Sequence, residues 1–496
     1  MAVTGGSQRM NKTCSFLLIA LTAGCQLAPE HERPEQPTAA LYPKLYAPER
    51  GEATASDIAW QAFFRDPRLQ HLVSTALQHN RNLRVAIERI EEARGLYRVQ
   101  GASRYPTLGV NAEASRGRFP TGAGTGGMPV SPGATAGAGD GVVERYSLGL
   151  GVSAFELDFW GRVRNLTEAA RAQYLGTIEA QRAFRLSLIA DVASTYLTLL
   201  EAEERIRLAE ATVDSRQDGL RIARVRLDAG ITSALDWNQA RALLTQAETE
   251  LAGLRLTQAQ QRNFLTQLVG TEIDHTLPAP LPLAQQVSAT TLRAGLPSDL
   301  LYVRPDIIAA EESLRAARAN IGVARAAFFP QISLTGTFGY ASNELDGLVD
   351  SSNETWSIGP TISLPLFDFG RNRGNLTVAQ ARENIAVAEY EDSIQTAFRE
   401  VANALAGRRF LAEQLIAQEE NVEVLRRIAT LAEDRYAEGV VNYLQVLDAS
   451  RNLFQAEQAY VQIQRAQVQN LIELYVALGG GSTMPRRLPE YTKPQP

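Results

Sequence analysis

The residues best suited to chemistry lie at the start of the chain. Cys25 follows Thr22-Ala23-Gly24, and upstream Arg9 and Lys12 precede the apolar run Phe16-Leu17-Leu18-Ile19-Ala20-Leu21. A basic start, a short apolar stretch and small residues before a cleavage point make a secretory signal. The run is too short to span a bilayer. A thiol at that point can be acylated, so Cys25 is expected to become a lipid-bearing mature N-terminus that holds the chain to a membrane without a transmembrane helix. The alternative is a plain secretory signal in which the cysteine has no role. Cys14 lies inside the signal, which leaves the folded body without a disulfide or a thiolate metal site. Catalytic groups are sparse. The four histidines, His31, His71, His79 and His275, are scattered, with neither triad nor metal-ligand spacing, and no P-loop or dinucleotide fingerprint is present. No catalytic residue, metal or cofactor is therefore expected. With 49 Lys+Arg against 55 Asp+Glu and a net charge of −6, a nucleic-acid partner is not expected either.

The elements that must position any site are set by an internal duplication. Glu156-Leu157-Asp158-Phe159-Trp160-Gly161-Arg162 returns as Leu366-Phe367-Asp368-Phe369-Gly370-Arg371, with Gly161 and Gly370 209 residues apart. At the same offset Asp191-Val192-Ala193 matches Glu400-Val401-Ala402, Gly230 matches Gly439, and Leu235 matches Leu444. Upstream, Tyr105-Pro106 matches Phe329-Pro330 at an offset of 224, so the first copy is longer by about fifteen residues. The excess falls in 116–141, which is rich in Gly, Pro, Ala and Thr and reads as a loop.

Each copy reads as helix, strand, loop, strand, long helix, turn, long helix. From Gly161 to Ala229 there is no proline, and Leu186, Ile189, Val192, Tyr196 and Leu200 recur at helical spacing. This predicts a helix of ~100 Å, repeated from Arg371 to Tyr436. The turn glycines Gly230 and Gly439 precede returning helices from Leu235 and Leu444. Helices of that length must bury their apolar stripes against one another in coiled-coil fashion, and most of their polar residues are expected to form a solvated face.

The strands alternate with period two. Tyr146-Ser147-Leu148-Gly149-Leu150-Gly151-Val152 and Trp356-Ser357-Ile358-Gly359-Pro360-Thr361-Ile362 have one large apolar side and one small or polar side. Leu108-Val110-Ala112 and Ile332-Leu334-Gly336-Phe338-Tyr340 complete a set of four. No segment is an uninterrupted apolar run of transmembrane-helix length, so any membrane crossing must be by strands. Four strands cannot close alone, and a lipid-exposed edge leaves backbone groups unpaired. Three copies would give a twelve-stranded barrel above a tube of twelve helical strands. A soluble sheet packed on one face is the alternative.

Against this background the chain resembles the outer-membrane efflux lipoproteins of the TolC family. The residues that carry the resemblance are Cys25-Gln26-Leu27-Ala28-Pro29-Glu30-His31-Glu32-Arg33-Pro34, Trp60-Gln61-Ala62-Phe63-Phe64-Arg65-Asp66-Pro67-Arg68-Leu69, and Ala76-Leu77-Gln78-His79-Asn80-Arg81-Asn82-Leu83. Gln26 after the cysteine resembles the outer-membrane-sorted class. The resemblance covers nearly the whole chain after residue 25. It implies a mainly α chain with a transmembrane β-barrel portion, a homotrimer lodged in outer-membrane lipid, and a tripartite pump. The implied partners are a periplasmic adaptor (membrane fusion protein) and an inner-membrane transporter of the RND class, or of the MFS or ABC class. It further implies a periplasmic constriction, for which the matching segment is Asn442-Tyr443-Leu444-Gln445-Val446-Leu447-Asp448-Ala449-Ser450-Arg451. There Leu444 would be the apolar ring, Asp448 the acidic ring and Arg451 a holding contact. Some members pair an Arg beyond the turn glycine with an acid that matches Asp236. Val440, Val441 and Asn442 stand in that place here, so Asp236 is a candidate second closure contact without a named partner.

The expected organisation is a lipoprotein signal over 1–24, an N-terminal extended segment over 25–65, a first repeat over 66–273, an equatorial linker over 274–297, a second repeat over 298–480 and a tail over 481–496. Export by a protein-secretion or metal-ion system is the alternative client, and a trimeric adhesive stalk is the alternative class. A stalk does not explain helices duplicated as hairpins.

Overall fold

The computed structural model describes residues 26–43, 53–118, 142–274, 276–288, 292–293 and 297–481. The expected signal, Cys25, His275, most of the 116–141 loop and the tail from 482 lie outside them. The first repeat runs α1 (Pro67–His79), α2 (Arg81–Ala102), β1 (Leu108–Arg118), β2 (Val142–Glu156), α3 (Arg162–Asp228) and α4 (Ala234–Val269). The second runs α5 (Pro305–Ala326), β3 (Gln331–Ser342), β4 (Glu354–Ser363), α6 (Arg371–Ala437) and α7 (Tyr443–Ala477). Both α3 and α6 are 67 residues long, and they begin at equivalent points of the duplication. One expectation is corrected at its edge: β1 continues through Arg118, so 116–118 are ladder and not loop.

The chain divides into two compact units. One contains Ala93–Tyr174 and Ser313–Ala386 and holds a four-stranded antiparallel sheet in the order β1-β2-β3-β4. The strand register aligns Val110, Leu150, Phe338 and Trp356 in one row across the sheet, and all four are exposed. The neighbouring row on the opposite face is Asn111, Gly149, Gly339 and Thr355. Alternation therefore gives one greasy, uncovered face and one small, polar face, the pattern of a strand set between lipid and a lumen. At the centre of the sheet a Cβ on Gly339 would collide with the carbonyl oxygen of Leu148, so glycine is needed for β2 and β3 to approach. The register slips by a bulge between Val152 and Phe155, where Ala154 has φ +51°.

The other unit contains Arg33–Glu92, Leu175–Glu312 and the chain from Val387 onward. Its core combines Leu69 and Val73 of α1, Val192 and Tyr196 of α3, Val401 of α6 and Ile472 of α7. One eighteen-residue window of α3 has a mean hydropathy of 1.3, enough by composition to cross a membrane, and half of it is buried inside the protein. Its apolar side is core, which agrees with assigning the membrane crossing to the sheet. Asp66 ties this core together. It caps α1 by accepting from the Arg68 amide at 2.8 Å, and its carboxylate also accepts from the Tyr196 hydroxyl at 2.8 Å, the Leu281 amide at 3.2 Å and the Gln286 side chain at 3.0 Å. A fully buried carboxylate is tolerated only with such partners. They fasten part of the 274–297 segment to the helices.

Candidate functional site

The two helical hairpins are built alike at their turns. In the first, the amide of Gly230 donates to Leu227 O at 3.0 Å and that of Ile231 to Arg226 O at 2.9 Å. In the second, Gly439 donates to Tyr436 O at 3.0 Å and Val440 to Arg435 O at 2.8 Å. The glycines have φ +71° and +77°, the left-handed conformation that ends a helix with its last carbonyls satisfied. The turn glycines of the sequence reading thus sit at equivalent helix ends. The returning helices start on equivalent caps, Ser233 and Asn442.

Asp236 is the third residue of a capping box. It accepts from the Thr232 hydroxyl at 2.6 Å and from the Ser233 amide and hydroxyl at 3.2 and 3.0 Å, while its own amide donates to Ser233 Oγ. Hydrogen bonds to Thr232 and Ser233 hold its carboxyl below the usual carboxylate range. Within this chain its hydrogen-bond partners lie in its own turn.

Leu444, Asp448 and Arg451 recur at four- and three-residue spacing on α7 and share one exposed stripe, while Val446, Leu447 and Ala449 face inward. Arg451 pairs with Asp448 at 2.9 Å with both side chains nearly half exposed, so each charge is answered on its own helix. Such a pair contributes only ~0.2–0.5 kcal/mol. The stripe is weakly held by its own protomer.

Arg451 of the stripe also lines a cavity of about 240 Å³, together with Arg205, Arg216, Glu250, Phe454 and Gln458 among others. Arg205 donates to Glu201 at 3.1 Å and to Glu250 at 3.3 Å, and its Nε donates to the Gln458 side chain. Arg465 donates to the same Glu201 at 2.9 Å. Glu201 and Gln458 are buried, exceptions to the solvated face expected of most polar helix residues. The i, i+4 spacing of Glu201 and Arg205 was a legible sign, but their partners on α4 and α7 were not. Arg216 donates to Leu243 O at 2.7 Å and lies over the Phe454 ring, and burial pushes its guanidinium down from the usual value. Nearer the turns Tyr443 packs at a tilt against Tyr436 with ring centres 5.1 Å apart, Arg226 lies over Tyr436 at 4.4 Å, and Tyr443 passes over Gly219 where a Cβ would come within 2.6 Å of its hydroxyl. These polar and aromatic contacts lie beside an apolar cluster of Ile206, Val213, Leu251 and Leu254, against which Phe454 of α7 packs. Among the described residues no cluster of His, Cys, Asp or Glu could hold a metal.

The described elements are thus two helical hairpins with equivalent turns and a four-stranded sheet. Comparison with known proteins gives the family. The family model described as outer membrane efflux protein matches residues 72–271 and 296–480. The chain is 43% identical to the solvent efflux pump outer membrane protein SrpC of Pseudomonas putida, over 95% of this chain and 98% of that one. It is 41% identical to outer membrane protein OprJ of Pseudomonas aeruginosa, over 94% and 95%. Among solved structures, the open state of the MtrE outer membrane channel of Neisseria gonorrhoeae superposes with a TM-score of 0.82 at 37% identity, covering 92% of this chain and 98% of that one. The chain is therefore a non-enzymatic outer-membrane channel protein belonging to the outer membrane efflux protein family.

Proposed function

We propose that three copies of this chain form the outer-membrane duct of a tripartite pump that expels organic solvents or antibiotics. The observation that carries the reading is the sheet: four strands with an exposed apolar face and one neighbour each for β1 and β4 among the described strands. In lipid such edges must be paired, and three copies supply a closed even-numbered barrel. The relatives named for solvent and antibiotic efflux support the cargo class. Energy comes from an inner-membrane transporter of the RND class, reached through a periplasmic adaptor, as the family resemblance implies. Cys25 carries the lipid anchor. The stripe Leu444, Asp448 and Arg451 lines the periplasmic constriction, where three Asp448–Arg451 pairs brought to an axis would repel like neighbours and separate readily. Asp236 stiffens the adjoining turn.

A strain lacking the chain should accumulate a lipophilic dye and become sensitive to solvents and antibiotics, and a plasmid copy should restore both. Unchanged accumulation together with loss of a secreted protein would move the reading to protein export. Replacement of Cys25 by serine should abolish labelling with radioactive fatty acid, and retained label would refute the anchor.

A further inference from the structure

Among the arginines gathered between α3, α4 and α7, three have carboxylate partners. Arg205 donates to Glu201 and Glu250, Arg465 donates to Glu201, and Arg451 pairs with Asp448. Arg216 differs. No acid stands three or four positions away on its own helix, where Thr212, Val213, Gly219 and Leu220 are found. Its guanidinium donates to a neutral acceptor, Leu243 O, at 2.7 Å, and among the described residues no carboxylate pairs with it. It is partly buried, and burial, with the like charge of Arg451 added, pushes its pKa down. A guanidinium drawn out of water beside a second guanidinium is unfavourable until an anion joins them.

Both arginines line the same cavity of about 240 Å³. Its charged lining is Arg205, Arg216 and Arg451 against the single carboxylate of Glu250, which Arg205 already answers. Phe454 and Ala247 give it an apolar wall, and four glutamines supply neutral hydrogen-bonding groups. The volume lies just below the ~300–1,000 Å³ of sites for drug-sized ligands, so it suits a single ring carrying one acid group. Helix packing alone does not ask for these charges. At the 209-residue offset of the duplication, the counterparts of Arg205 and Arg216 are Gln414 and Leu425, and those of Arg451 and Phe454 are Ala242 and Thr245. The same helical design is thus built in the other copy with no charge at any of the four.

We infer that this cavity binds a small amphipathic organic anion, a ring bearing a carboxylate, with the carboxylate between Arg216 and Arg451 and the ring against Phe454. Guanidinium groups offer planar pairs of donors that match the two oxygens of a carboxylate. A neutral aromatic molecule gains the apolar wall without the charge, and inorganic phosphate gains the charge without the wall. Occupancy also acts on the stripe, because Arg451 lines the cavity and pairs with Asp448 in a half-exposed contact of little strength. An anion that draws Arg451 inward leaves Asp448 without its partner, and carboxylates of three copies brought to an axis repel one another. The bound anion therefore favours the open constriction. This last step rests on the proposed trimer and on the proposed place of Asp448 and Arg451, whereas the binding site does not.

Equilibrium dialysis of the purified full-length protein in detergent against radiolabelled benzoate tests the site. Wild type should bind benzoate saturably, and an equal concentration of benzyl alcohol should not displace it. Arg216→Gln keeps a donor for Leu243 O but removes the charge, and it should weaken binding by roughly tenfold or more. Arg216→Lys should recover part of the loss. Equal affinity in wild type and a folded Arg216→Gln variant, or equal displacement by benzyl alcohol and unlabelled benzoate, overturns the site. Should Arg216→Gln fail to fold, the comparison of the two competitors on wild type still decides. In planar bilayers at constant ionic strength, benzoate should raise the conductance of wild type and of Arg221→Ala and should not raise that of Arg216→Gln. Binding without that rise overturns the link to the stripe, and a wild type that forms no channel overturns the reading on which the link rests.

Discussion

Replacing Arg205 by alanine gives the sharpest test of how the hairpins are held together. Its side chain is 18% exposed and that of its partner Glu201 is 9% exposed, so both charges are largely out of water. Removing one member of a buried ion pair costs ~3–5 kcal/mol, because the remaining charge stays buried without its partner. Two features reduce that figure here. Glu201 keeps its 2.9 Å contact with Arg465, and the adjoining 240 Å³ cavity has room and polar walls for water. We expect a net loss of about 2–3 kcal/mol, equivalent to unfolding ~30–150 times faster if the cluster opens before the rate-limiting step. The assay is the half-life of the helical circular-dichroism signal in detergent at fixed temperature, suited to a membrane protein that unfolds irreversibly. Arg221 is the matched control, since it pairs with Asp218 at 3.2 Å with both side chains 70% exposed. Its replacement by alanine should change the half-life less than about twofold. Equal half-lives for Arg205→Ala and wild type would show that the cluster does not bind α3 to α4 and α7, and the reasoning would fail.

Two further outcomes are expected. Asp236→Ala should weaken the start of α4 by ~1 kcal/mol, read by hydrogen exchange at the first turn of that helix. Because the folded carboxyl is held below its ordinary value, its contribution is complete above the unfolded pKa and fades as the pH falls through the folded one. The difference between variant and wild type should accordingly shrink only in that acid range, and a difference that stays undiminished there would contradict the assignment. Gly219→Val should displace Tyr443, whose hydroxyl would sit 2.6 Å from even the first added carbon, and should raise exchange at the second hairpin turn while leaving the sheet unaffected.

Much of the fold was readable because the duplication supplied each element twice. Gly161 and Gly370 mark the starts of two equal helices and Gly230 and Gly439 their ends, since left-handed glycines are local signals with a fixed physical cause. The strands were readable from period two, because one face is left apolar. The spacing of Leu444, Asp448 and Arg451 likewise puts them on one stripe whatever surrounds the helix. What escaped the reading depends on contacts between residues far apart in the chain. Gln458 looks like any surface glutamine until Arg205, 253 positions away, is brought to it. Tyr443 shows no reason to prefer its place until it meets Gly219. Asp66 lay inside a motif noticed only as a resemblance, and its meaning came from Tyr196 and Gln286 converging on it. Asp236 carries a local signal as well, since Ser233 three residues before it completes a capping box.

The central claim is that this chain forms a channel held shut at the α7 stripe. Single-channel conductance of the purified protein in planar lipid bilayers tests it directly. The account predicts a small, uniform conductance for wild type and a clearly larger one for the Asp448→Ala/Arg451→Ala variant, with Arg221→Ala unchanged. A double variant that conducts like wild type would contradict it.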